Sequence, residues 1–141
     1  MVVGDFMTRR VVIVGMDATL EHILRVFQNT GFHHIPVVDL QTREFVGIIS
    51  DRDLYKHLSP FLGTISESPR DTMTLTKKAY QIMTRRPVTV APETPVKEAA
   101  RLLLTKGISC LPVLSADGQL KGIVTWKDIL RELLGLDVSL R

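Results

Sequence analysis

The chain writes itself twice. Met7-Thr8-Arg9-Arg10 returns as Met83-Thr84-Arg85-Arg86, Gly31 as Gly107, and Pro36-Val37 as Pro112-Val113, each 76 positions on. The phrase GIISDRD, residues 47–53, returns as GIVTWKD, residues 122–128, now 75 positions on. One residue has been lost between Val38 and Gly47 or between their counterparts, where a turn is expected. A fixed period of this kind means two copies of one supersecondary unit. In a chain of 141 residues each copy alone is marginal, so the two are expected to pack together. A hydrophobic fraction of 45% against 23% charged residues is enough for a core and excludes a disordered chain.

Each copy reads strand, helix, strand, strand, helix. The β-branched runs at residues 11–14 and 88–90 predict the first strands. Thr19 is the expected cap of the first helix, whose apolar stripe is Leu20, Ile23, Leu24 and Phe27. In the second copy Thr94 is the expected cap and Pro95 the first helical residue, before the stripe Val96, Ala99, Ala100 and Leu103. Gly31 and Gly107 close these helices. Strands at 34–38 and 110–114, turns at 40–44 and 116–118, and strands at 45–50 and 120–125 follow. Helices at 52–58 and 126–134 complete the units. The copies span residues 5–58 and 81–134, and residues 59–80 link them; Thr76 is expected to cap a short helix running into Met83.

Two such units, each opening on M-T-R-R and closing on G-I-[IV]-[ST]-x-x-D, resemble a tandem pair of CBS domains, a Bateman module. The resemblance covers nearly the whole chain. It implies an α/β (α+β) fold of two β-α-β-β-α repeats packed with pseudo-two-fold symmetry. It also implies regulation rather than catalysis: a cleft in which the motif of one repeat faces the strands of the other and takes AMP, ADP, ATP or S-adenosylmethionine. No cofactor is required on this reading.

The motif has its own chemistry. A carboxylate accepts hydrogen bonds from both hydroxyls of a ribose, and such bonds to a charged acceptor contribute about 1.5–3 kcal/mol. A hydroxyl where a strand becomes a helix lies near unpaired backbone N–H groups, which suit a phosphate. Ser50 with Asp53, and Thr125 with Asp128, fit both roles. The same spacing is a helix-capping pattern, and both readings hold together. Arg52 and Lys127 precede the aspartates and are phosphate contacts or solvated surface. His33 and His34 stand before Ile35-Pro36; relatives carry His or Arg here against phosphate, and the alternative is a hydrogen-bonded core histidine. The family geometry groups Thr125, Lys127 and Asp128 with Val12, Phe32, His33, His34, Ile35 and Pro36. It groups Ser50, Arg52 and Asp53 with Val88, Ile108 and Ser109. Cations on both walls make the first group the expected tighter phosphate site.

Other classes lack support. The single cysteine, Cys110, permits no internal disulfide and is expected to pack as a small hydrophobe. His22, His33, His34 and His57 show no metal spacing, and no P-loop or nucleophile elbow appears. A net charge of +3, with no aromatic interleaving of the repeated arginines, does not point to nucleic acid. No apolar run is long enough to span a membrane, so a soluble cytoplasmic location is expected. Partners are then an adenosyl ligand, an effector protein and a second copy, with Leu130, Leu133, Leu134, Leu54 and Leu58 as the expected dimer face. A ligand-free dimerisation or interaction scaffold is the alternative.

Overall fold

The computed structural model describes residues 1–136. The chain divides into two compact units, one made of residues 12–86 and the other of residues 1–11 together with the chain from Pro87 onward. In the first, β1 (Val14–Gly15), α1 (Leu20–Thr30), β2 (His34–Val38), β3 (Phe45–Ser50) and α2 (Asp51–His57) follow in order. Then come α3 (Pro69–Met73), α4 (Ala79–Ile82) and β4 (Thr84–Arg85). The sheet order is β1-β2-β3-β4, with β1 parallel to β2 and the rest antiparallel.

The other unit carries α5 (Val96–Lys106), β5 (Cys110–Leu114), β6 (Leu120–Thr125) and α6 (Trp126–Leu134). It reproduces the same sheet with single bridges at its margins. Val90 pairs with Val113 in parallel, as Val14 pairs with Val37, and Thr8 pairs with Ile123, as Thr84 pairs with Ile48. Both hairpins bulge at the same place, after Val37 and after Val113. The strands are joined by residues 39–44 in one copy and 115–119 in the other, so the missing residue is in the turn.

Each unit buries its own core. Leu20, Ile23, Ile35, Ile49 and Leu54 are fully buried in one, with Ala79, Ile82 and Met83 beside them. Leu103, Leu111, Val113, Val124 and Ile129 fill the other, with Val3, Phe6 and Met7. Each such aliphatic side chain contributes about 1.5–3 kcal/mol on burial. Val3, Phe6 and Met7 precede Ala79, Ile82 and Met83 by the repeat period, so the repeat extends upstream of the residues first assigned to it. Arg9 and Arg85 match as well: each guanidinium donates to the carbonyl five residues back, Gly4 at 2.8 Å and Tyr80 at 3.4 Å.

Several local expectations are corrected. Residues 11–13 form no strand, because the chain changes units between Val11 and Val12 and they have no ladder partner. Of residues 88–90 only Val90 makes a bridge. The cap of α5 is Pro95, since Thr94 Oγ1 accepts from the Ala91 amide instead. Thr76 ends a 3-10 turn, and Lys78 precedes α4 with its amide bonded to Gln81 Oε1 at 2.7 Å. The linker's end is fastened to the start of α1, with Leu20 N donating to Lys77 O and Ala79 N to Ala18 O. Leu54 is core, and Leu58 packs on that core, so neither supplies an open apolar face. Leu130, Leu133 and Leu134 are exposed. Thr19 caps α1 as expected, and Gly31 and Gly107 end their helices in the left-handed region.

The repeated glycine explains the repeated M-T. A Cβ on Gly122 would stand 2.5 Å from Thr8 O, and one on Gly47 would stand 2.8 Å from both Thr84 O and Met83 Sδ. The strand can be overlaid only where no side chain intervenes. Gly122→Ala is expected to cost about 1–3 kcal/mol by overpacking, read as a lower urea midpoint. An unchanged midpoint would contradict this close approach.

Candidate functional site

The strand-to-helix junction of the residue 12–86 unit brings together His33, His34, Ser50, Asp51 and Asp53. His34 pairs with Ser50 across the hairpin, and the Asp51 amide donates to His33 O at 3.0 Å. Ser50 and Asp53 form a reciprocal capping box: Asp53 N donates to Ser50 Oγ at 3.1 Å, and Ser50 N to Asp53 Oδ2 at 3.0 Å. Among the described residues, Asp53 Oδ1 accepts no hydrogen bond, and the carboxylate is only half-buried. Arg52 is exposed.

His33 Nδ1 lies 2.8 Å from Asp51 Oδ2. Burial pushes the Asp51 carboxyl up. The His33 hydrogen bond, the Arg52 amide and the charges of His33 and His34 outweigh it and hold the group below the usual carboxylate range. Burial pulls His34 below its ordinary value, against the charges of Asp51 and Asp53. Both histidines therefore act on one carboxylate, which the sequence reading passed over as a variable position. Among the described residues no three His, Cys, Asp or Glu side chains are grouped as metal ligands.

The matching junction of the other unit is built differently. Asp128 is 1% exposed. A carboxylate buried to that degree needs donors. The Thr8 hydroxyl is shared between its two oxygens at 3.0 and 3.1 Å, Thr125 N donates at 3.0 Å, and Thr125 Oγ1 at 3.2 Å. Arg131 stands 3.5 Å away. The counterpart of Thr8, Thr84, is exposed, and that of Arg131 is the exposed Lys56. Thr8 and Arg131 were not recognised as partners of the motif, although Thr8 lies in the repeated M-T-R-R.

The remaining expected residues divide plainly. Ile35 lies wholly inside the core, and Pro36 is buried. Val12 is half-buried, while Phe32 and His33 are exposed. In the other unit Val88 and Ile108 pack against the core, and Ser109 and Lys127 are exposed. Trp126 also packs on that core. Cys110 is buried, and burial followed by the charge of Asp128 pushes its thiol up to about 12, which leaves it protonated and unreactive.

The CBS domain model matches residues 3–60 and 79–135. A CBS domain-containing protein of Dictyostelium discoideum is 36% identical over 133 residues, covering 94% of this chain and 90% of that protein. The inosine-5'-monophosphate dehydrogenase of Korarchaeum cryptofilum is 33% identical over 125 residues, but the chain spans only 23% of that enzyme's length. The crystal structure of CBSX2 in complex with AMP superposes with a TM-score of 0.79 at 32% identity, covering 95% of this chain and 96% of that one.

The histidine and Asp51 give a signed pH dependence. Folded His34 holds its proton less tightly than the unfolded chain does, so the unfolded state takes up more protons once the pH drops below 6.5. Stability is expected to be full above that value and to fall through the folded His34 pKa. A second loss follows below 3.8 as Asp51 is protonated. His34→Gln should flatten the upper limb of a urea-midpoint-against-pH curve; an unaltered limb would contradict the assignment.

Proposed function

The chain belongs to the CBS domain family as a tandem pair, and on that footing we propose that it is a non-catalytic regulatory module sensing an adenosine-containing ligand. The class is supported because CBSX2, similar over almost its whole length, is seen with AMP. ADP, ATP and S-adenosylmethionine belong to the same class. The observation that carries the reading is Asp53: one oxygen is held by the Ser50 amide, and the other is without a hydrogen bond among the described residues. That is the acceptor a ribose diol requires. Ser50, Arg52, Asp53, His33, His34, Val12 and Phe32 are the contacts proposed in one unit. Thr125, Lys127, Asp128, Val88, Ile108 and Ser109 are those in the other.

The expected ranking of the two motifs reverses on this reading. Asp128 already accepts bonds from Thr8 and Thr125 with Arg131 nearby, so a ribose there must displace a donor. The same observation favours a second reading for that junction, a structural clasp that needs no ligand. The interaction-scaffold alternative follows if Asp53 too stays empty.

A ligand bound only by the folded form at about 100 times its dissociation constant adds roughly 2.7 kcal/mol. AMP is expected to raise the melting temperature of the wild type, and Asp53→Asn to remove most of that rise. No shift with AMP, ATP or S-adenosylmethionine would favour the scaffold.

Output passes through an effector protein or through self-association in the cytoplasm. No helix among the described residues is long and apolar enough to cross a membrane. The exposed Leu130, Leu133 and Leu134 on α6 support a homodimer as the functional form. Light scattering at micromolar concentration is expected to give twice the chain mass, and a monomer would contradict the dimer.

A further inference from the structure

We propose that Asp51 tunes by charge which adenosyl ligand the residue 12–86 unit prefers, its bond to His33 weakening the hold on phosphate relative to an uncharged or cationic substituent. The inference rests on the reading that this unit takes an adenosine-containing ligand, and concerns which kind.

The titratable groups that face one another at this junction are His33, His34, Asp51 and Asp53. Arg52 is exposed and offers Asp51 only its backbone amide, at 2.8 Å. Arg85, on the strand beside β3, is turned to Tyr80 O. With both imidazoles neutral the group carries two negative charges; with both protonated it carries none. A phosphate brought to His33 finds the ring already bonded to a carboxylate. At neutral pH the junction therefore favours an adenosyl ligand that is uncharged or carries a cationic substituent, such as a sulfonium, over a nucleotide.

The other unit shows that the fold does not need this arrangement. The counterparts of His33, His34 and Asp51 are Ser109, Cys110 and Trp126. There the same backbone bond is made, Trp126 N donating to Ser109 O at 3.4 Å, without a carboxylate. The strand-to-helix junction forms with or without the charges, so the fold alone does not account for Asp51 and its bond to His33.

The test is calorimetric titration of the full chain with adenosine, AMP and S-adenosylmethionine, at about pH 5.5 and about pH 8, either side of the ordinary imidazole pKa. Wild type, Asp51→Asn and His33→Gln are compared at equal pH, so the titration of the AMP phosphate cancels. Asp51→Asn is expected to raise the ratio of AMP to adenosine affinity about tenfold at the higher pH, and to lower S-adenosylmethionine affinity. His33→Gln should lower the AMP ratio at the lower pH. These opposite signs are not produced by loss of a structural pair, and retained melting transitions confirm folding of both variants. If adenosine and AMP both bind and Asp51→Asn leaves their ratio within about twofold, the Asp51 inference is overturned and the ligand-sensing reading stands. If neither they nor S-adenosylmethionine bind the wild type, the reading falls and this inference with it.

Discussion

The contact on which the architecture depends is a short backbone pairing made over a glycine. Thr8 and Ile123 exchange two N–H···O bonds, at 2.8 and 2.9 Å, where Gly122 leaves room for the Thr8 carbonyl. Thr84 and Ile48 pair in the same way, over Gly47. This pairing assigns the leading segment of each copy to the unit that contains the other copy's hairpin. Each core is completed by apolar residues from that segment: Phe6 and Met7 in one, Ile82 and Met83 in the other. Two units that are each too small to be comfortable alone are thereby made from interleaved stretches of chain.

The same pairing differentiates the two junctions. On one side it delivers the Thr8 hydroxyl to Asp128, which is then buried with its donors satisfied. On the other, Thr84 stays exposed and Asp53 keeps an open oxygen. Identical spacing of hydroxyl and carboxylate thus yields a fastener in one unit and an available acceptor in its twin. The difference comes from side chains outside the motif: Thr8, 120 residues away in sequence, and Arg131, one helical turn beyond Asp128.

A sensing role needs more than a binding site. A ligand shifts an equilibrium only by its differential affinity for two arrangements of the protein. The CBS domain match over both copies and the likeness to CBSX2 place the chain among tandem CBS pairs, and the proposed role requires such a pair of arrangements. On the proposal made for Asp51, its charge would weigh a nucleotide against a less acidic adenosyl compound.

The periodicity determined much of this without coordinates. The helix-strand-strand-helix order of each copy, the limits of β2, β3, β5, β6 and α6, and the caps at Thr19, Ser50 and Thr125 were legible because each rests on local rules: alternation, helical spacing and turn chemistry. The same rules misplaced Thr94 and Thr76, whose hydroxyls serve competing turns. They also put Leu54 on a surface, although the repeat sets it opposite the buried Ile129. What only the tertiary structure decided was which copy each M-T-R-R segment joins, and hence which aspartate is occupied. Those outcomes rest on contacts such as Thr8 with Asp128, 120 residues apart, for which a linear pattern holds no distance information.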